Sequence, residues 1–238
     1  MHTVVFDVDD TLYDQQRPFK QAFKRVLSTQ FTDQQLAQLY IASRKYSDQV
    51  FEKEQRGEIS TLDLQIYRIQ QATKDFNFDI TEQQAIEFQD AYLEEQKQIT
   101  LFPEMKDVLD ILKERGIQMA VLTNGNTEHQ QMKIDQLNLT NWIKEEHCFI
   151  SGSIGAAKPE LTPFQHIENR LTIDRDSTWY IGDSFENDVL GAKGAGWRVI
   201  WFNHRKRQAP KRDVFPDQII EETKDLVPFF TANLLTDS

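Results

Sequence analysis

The sequence predicts an α/β protein, a parallel sheet alternating with helices and interrupted once by an all-helical insertion, and three observations predict it. The opening run Thr3–Phe6 is short and apolar and ends abruptly in three carboxylates, Asp7, Asp9 and Asp10. A buried parallel strand reads this way, and open α/β sheets bind ligands at the carboxyl ends of their strands. From Phe102 onward helical stripes and apolar runs take turns, as repeated βα units require. Between these two regions, residues 17–97 carry helical periodicity and no alternating strand. The first strand needs the later ones as partners, so the helices are inserted after it, with linkers near Asp14 and at residues 100–103. The predicted division is 1–14 and 98–238 for the α/β core and 15–97 for the insertion.

Each element has its own signal. If the first strand stays extended past Phe6, Asp7 and Asp9 project from one side and Asp10 from the other, so two carboxylates face one site. Such a pair suits a nucleophile beside a proton donor around a hard, oxygen-seeking cation. Phe19, Ala22, Phe23, Val26 and Leu27 form the full stripe of a helix packing on one face. Thr32 with Gln35, Ser60 with Asp63, and Thr81 with Gln84 have capping-box spacing and start the later inserted helices. The stripe Met105, Val108, Leu109 and Leu112 stops at Gly116, where a strand over residues 117–122 begins. That strand ends in Thr123-Asn124-Gly125, a hydroxyl with backbone N–H groups suited to an anion, and Thr127 with Gln130 starts the next helix. Further strands fall at residues 147–150, 179–181 and Arg198–Phe202. Lys158 closes a loop of small residues, SGSIGAA, and precedes Pro159, which biases its backbone toward extension. The strand at 179–181 runs into GDSFEND: Gly182 allows close approach, Asp183 stands at the strand end, and Asp188 lies in the following helix.

Composition narrows the classes. A net charge of −11 and a pI near 5.0 argue against broad electrostatic binding to nucleic acid polymers or to anionic membrane surface, so an anionic substrate needs a local cation. The lone Cys148 forms no internal disulfide and reads as an ordinary thiol in a reducing compartment. The opening apolar run is too short for a signal-peptide core and no stretch approaches a membrane span, so the expected location is cytoplasmic. The basic run at 204–212 follows the last clear strand and could flank an anionic leaving group, but a charge run of this kind reads first as a solvated loop. Arg44, Lys45, Tyr46, Phe51 and Arg56 read as solvated charge or packing, though they could contact a nucleobase or sugar.

Taken together, DVDDT, LTN, Lys158 with Pro159, and GDSFEND resemble, in order, the four motifs of the haloacid-dehalogenase-like hydrolase superfamily, and residues 15–97 resemble its helical type-one cap. The resemblance implies a Rossmann-like core. It also implies that Asp7 is the nucleophile that forms an aspartyl-phosphate, that Asp9 is the general acid and base, and that Thr123, Asn124 and Lys158 bind phosphate. It assigns Mg²⁺ to the Asp7 carboxylate, the Asp9 backbone carbonyl and Asp183, with Asp188 as a supporting acid. The expected partner is a small-molecule phosphate monoester, and the expected assembly a monomer or homodimer. Asp9 disfavours the dehalogenase and phosphonate hydrolase branches, which do not use an aspartate two residues after the nucleophile. A phosphomutase uses the same acids and stays open, as do a phosphoacceptor signalling domain and a binding protein that has lost catalysis; the insertion weighs against the second and the retained acids against the third. The TNG turn, RGEISTLDLQIYR and VIWFNHRKR resemble the bacterial pyrimidine 5′-nucleotidase branch, with sugar-phosphate or phosphoglycolate phosphatases as alternatives. SGSIGAAKP departs from the acidic form frequent in that branch, and Asp10 stands where other branches commonly have glycine.

Overall fold

Four consecutive buried residues form β1 (Thr3–Phe6), and in the computed structural model, which describes residues 1–211 and 213–234, this strand lies inside a six-stranded sheet. A strand buried on both faces has no use for alternation, which is why Thr-Val-Val-Phe reads as a continuous run. After β1 the chain enters the insertion, α1 (Gln16–Val26), α2 (Asp33–Gln55), α3 (Thr61–Lys74) and α4 (Glu82–Gln96). It then resumes with α5 (Pro103–Glu114), β2 (Gln118–Thr123), α6 (Thr127–Gln136), β3 (Cys148–Ile150), α7 (Ser151–Ile154) and α8 (Leu161–Arg170). β4 (Thr178–Gly182), α9 (Leu190–Gly194), β5 (Arg198–Phe202), β6 (Gln218–Ile220) and α10 (Leu226–Leu234) complete the described chain.

The strand order is β3-β2-β1-β4-β5-β6, with every pair parallel. β1 therefore pairs on one side with β2, Phe6 opposite Val121, and on the other with β4, Phe6 opposite Ile181. The order reverses direction at β1, so the switch point of the sheet lies at the end of the strand that leads into Asp7. Val5, Ala120, Leu122, Phe164, Ile167, Tyr180 and Trp197 belong to one buried cluster of this unit. β6 was not foreseen: its three residues alternate too briefly, and only Ile220 is fully buried.

The chain divides into two compact units, Met1–Asp14 with everything from Thr100 onward, and Gln15–Ile99. The first unit fastens its own chain exit to its re-entry, the Phe102 N–H donating to the Leu12 carbonyl at 2.9 Å. In the second unit all three predicted capping boxes form, Thr32 with Gln35, Ser60 with Asp63 and Thr81 with Gln84. Its core is aromatic: Phe19 meets Tyr40, Phe88 and Tyr92 edge-on at 5.3, 5.1 and 5.7 Å between ring centres. Among the described residues no helix is long and apolar enough to cross a membrane.

Candidate active site

The carboxyl ends of β1, β2 and β4 carry Asp7, Thr123 and Asp183, and adjacency in the sheet brings them to one edge. Asp7 continues the strand geometry by one residue, its N–H donating to the Ile181 carbonyl at 2.9 Å. Lys158 comes from the loop between α7 and α8 and is almost fully buried. Asn124 holds that loop with two bonds of 2.9 Å, accepting from the Lys158 N–H and donating to the Lys158 carbonyl. The Lys158 ammonium then donates to Asp7 Oδ1 at 2.7 Å, Asp188 Oδ1 at 2.7 Å and the Tyr180 hydroxyl at 2.6 Å. Asp188 sits in a π-helical turn, Phe185–Val189, and its Oδ2 accepts from the Ser184 N–H at 2.9 Å. Gly182 is required beside it, because a Cβ there would lie 2.3 Å from Asp188 Oδ2.

Carboxylate oxygens of Asp7, Asp183 and Asp188 lie within 4.8 Å of one another, and all three residues are buried. Burial pushes the Asp7 carboxyl up to about 7, opposed by Lys158 and reinforced by Asp188 and Asp9. Burial also drives Asp183 well above the usual carboxylate range, against the pull of Arg207. Lys158 and Arg207 together therefore leave the three carboxylates short of positive charge. An all-oxygen donor set with that shortage fits a hard divalent cation such as Mg²⁺, which binds through one or two carboxylates and keeps several waters. Asp188, expected as a supporting acid, belongs to this cluster with Asp7 and Asp183, whereas the Asp9 side chain does not.

Asp9 turns instead toward α6. Lys133 donates to both of its oxygens at 2.7 Å, Gln130 Nε2 to Oδ2 at 2.9 Å and the Tyr13 hydroxyl to Oδ1 at 2.5 Å. Burial opposes the Asp9 anion, yet Lys133, with Tyr13 and Gln130, holds its carboxyl below the ordinary range. Gln130 Oε1 accepts from Thr123 Oγ1 at 3.2 Å, linking the β2 end to the same network. This geometry corrects two expectations. Thr127 and Gln130 are not a capping pair: Asn126 caps α6, its Oδ1 accepting from the His129 N–H, which frees Gln130 to face Asp9. The Gly125 N–H, expected to face an anion, donates to Ser151 Oγ at 2.9 Å.

The basic run departs furthest from its reading as a solvated loop. Arg205 donates to both oxygens of Asp10 at 2.6 and 3.0 Å and also reaches Asp14. Arg207 donates to Asp183 Oδ2 at 2.6 Å, and His204 Nε2 lies 2.9 Å from the Asp10 carbonyl. Burial is outweighed at Asp10 by His204 and Arg205, which keep its carboxyl far below the usual range. Asp10 also has φ 56°, the left-handed region that Asp tolerates better than most residues. A charge run is solvated only when nothing opposite is buried within reach, and here the loop after β1 supplies Asp10. Arg212, the end of the run, lies outside the described residues.

Tyr13, Gln130, Lys133, Tyr180, Arg205 and Arg207 were missed by sequence reasoning. A signal existed for two of them. Gln130, Lys133, Ile134 and Leu137 recur at i, i+3, i+4 and i+7, so polar residues occupy apolar places on the buried stripe of a helix.

A family model described as haloacid dehalogenase-like hydrolase matches residues 1–196. Among curated proteins, the glyceraldehyde 3-phosphate phosphatase of Pyrococcus abyssi is 31% identical over 104 residues, covering 44% of this chain and 43% of that protein. The phosphoglycolate phosphatase of Haemophilus influenzae is 28% identical over 129 residues, covering 53% and 56%. The chain thus spans about half the length of the curated relatives it matches. The magnesium-bound HAD-hydrolase YfnB of Bacillus subtilis superposes with a TM-score of 0.72 at 21% identity, over 96% of this chain and 98% of that one. The L-2-haloacid dehalogenase of Xanthobacter autotrophicus superposes with a TM-score of 0.69 at 16% identity, over 98% and 99%. At these identities the superpositions speak for the fold.

Proposed function

This chain belongs to the haloacid dehalogenase-like hydrolase family, and from that premise we propose that it hydrolyses small phosphate monoesters through an aspartyl-phosphate on Asp7. The observation that carries the reading is the Lys158 ammonium bound to Asp7 Oδ1 within a cluster of buried carboxylates. Asp7 attacks phosphorus and the bond from phosphorus to the ester oxygen breaks, while Asp9, which takes up a proton with the substrate against the pull of Lys133, passes that proton to the leaving oxygen. Water then attacks the phosphorus of the aspartyl-phosphate, gives its proton to Asp9 and frees phosphate, which returns both acids to their starting states. Lys158 orients Asp7 and neutralises charge on the transferring group. Asp7, Asp183 and Asp188 would hold Mg²⁺, which when bound supplies further charge neutralisation at the nucleophile and the phosphoryl oxygens.

Asp9 favours ester hydrolysis over dehalogenation, because a leaving alkoxide needs a proton and a leaving halide does not. For the leaving group we propose a nucleoside 5′-monophosphate, pyrimidine ones above all, on the resemblance of the TNG turn, residues 56–68 and residues 199–207 to that branch. The names of the curated relatives support a second reading, a two- or three-carbon phosphate. Phosphate release with Mg²⁺ from UMP, dTMP, phosphoglycolate, glyceraldehyde 3-phosphate and glucose phosphates tests both. Higher kcat/KM on the nucleotides is expected, and a tenfold preference for any of the others overturns the nucleotide reading. No release from any ester, or full release in EDTA, overturns the phosphatase mechanism itself.

A further inference from the structure

We propose that Lys133, assisted by Gln130, is the positioning residue that aims Asp9 at the leaving oxygen and then at water. The inference rests on the phosphatase reading above and assigns it a residue from outside the four motifs. Lys133 is 2% exposed, and its ammonium bridges both oxygens of Asp9 at 2.7 Å. A lysine is rarely buried without a partner, and a buried ion pair is a poor source of stability because desolvation offsets its attraction. What the pair does supply is direction. Lys133 and Gln130 stand three residues apart on one face of α6 and grip the carboxylate together, while Tyr13 closes it from the β1 side. Rotating the Asp9 carboxylate breaks two charge-assisted bonds at once. Gln130 is itself fixed by Thr123 Oγ1, so the end of β2 and the proton carrier share one frame. A misplacement of about 1 Å in such a group can cost on the order of a hundredfold in rate.

A residue that acts through the proton donor matters most where the leaving group needs a proton. The test is kcat/KM with Mg²⁺ for an alkyl ester, UMP, and for p-nitrophenyl phosphate, whose phenolate leaves without one. The proteins are wild type, Lys133→Met, Asp9→Asn and the double variant, each with its thermal midpoint. Lys133→Met is expected to lose at least tenfold more on the alkyl ester than on the aryl ester, within the range general acid catalysis contributes. In the Asp9→Asn background the same change is expected to add no more than about twofold, since its target is gone. Lys133→Arg, which keeps the charge, is expected to restore most of the difference. Equal losses on the two esters, or losses that multiply in the double variant, overturn the proposal. Should Lys133→Met fail to fold, Gln130→Met carries the same leaving-group comparison with the same two outcomes. The alkyl ester is UMP or, where wild type does not hydrolyse it, the fastest of the other alkyl esters named above; wild-type protein inactive on all of them refutes the phosphatase reading instead, a result separate from either.

Discussion

Gly182 lacks a side chain because Asp188 occupies the space one would need, and single atoms decide much of this site. Gly182→Ala is expected to destabilise the protein by about 1–3 kcal/mol, as overpacking does, and to remove activity by displacing Asp188; denaturant unfolding and phosphate release measure the two effects. Asp7→Asn is expected to abolish turnover without lowering the thermal midpoint, because it removes one of several crowded buried carboxylates and leaves Lys158 paired with Asp188. Retained activity above a few per cent of wild type would sink the nucleophile assignment. Cys148 makes a chemical prediction: burial, with Glu145, Asp135 and Glu146 nearby, pushes its thiol up to about 12. Only the thiolate reacts, so folded protein is expected to alkylate about 10³-fold more slowly at pH 8 than unfolded chain, the rate rising tenfold per pH unit toward about 12. Mass spectrometry of the labelled protein reads the ratio. That Asp7, Lys158 and Asp183 come together was legible in the sequence because each stands beside a local mark, a strand end or a proline. Lys133 was not, since its meaning depends on the pitch of α6 and on a carboxylate 124 residues away.

Elements show the same division between local and distant causes. The capping boxes were legible because both partners lie within four residues, and Ser60→Ala is expected to cost about 1 kcal/mol in urea unfolding through the lost bond to the Asp63 N–H. The segment after β5 was not legible, because its partners follow β1 at the far end of the chain. Neighbouring residues there make a sharp comparison. Arg205, 20% exposed, pairs with the 2% exposed Asp10, while Lys206, 62% exposed, pairs with the 49% exposed Glu222. Arg205→Met leaves Asp10 without its main counterion and is expected to cost about 3–5 kcal/mol, whereas Lys206→Met is expected to cost under about 1 kcal/mol. Similar losses for the two variants, by the same unfolding assay, would mean that the segment is solvated after all.

Across the whole molecule, the parallel sheet followed from alternation of helix and strand, and the insertion from the lack of partners for β1. What alternation cannot convey is neighbour order: β4 lies beside β1 although β2 and β3 precede it in the chain. That order has a consequence for synthesis on the ribosome. A nascent chain emerges at about 5–20 residues per second, so β1 is outside long before either of its neighbours exists. The helices of residues 16–96 need only one another for their buried cluster, while β1 waits for residues 118–123 and 178–182. Long-range parallel pairing is also the slow step of folding. In pulsed hydrogen exchange during refolding, amides of α2–α4 are therefore expected to gain protection before those of β1, and simultaneous protection would contradict this order. Arg205 and Arg207, which pair with Asp10 in the loop after β1, emerge later than those strands. A message cut short before those codons yields a chain whose Asp10 and Asp183 have emerged without the cations that partner them in the folded protein.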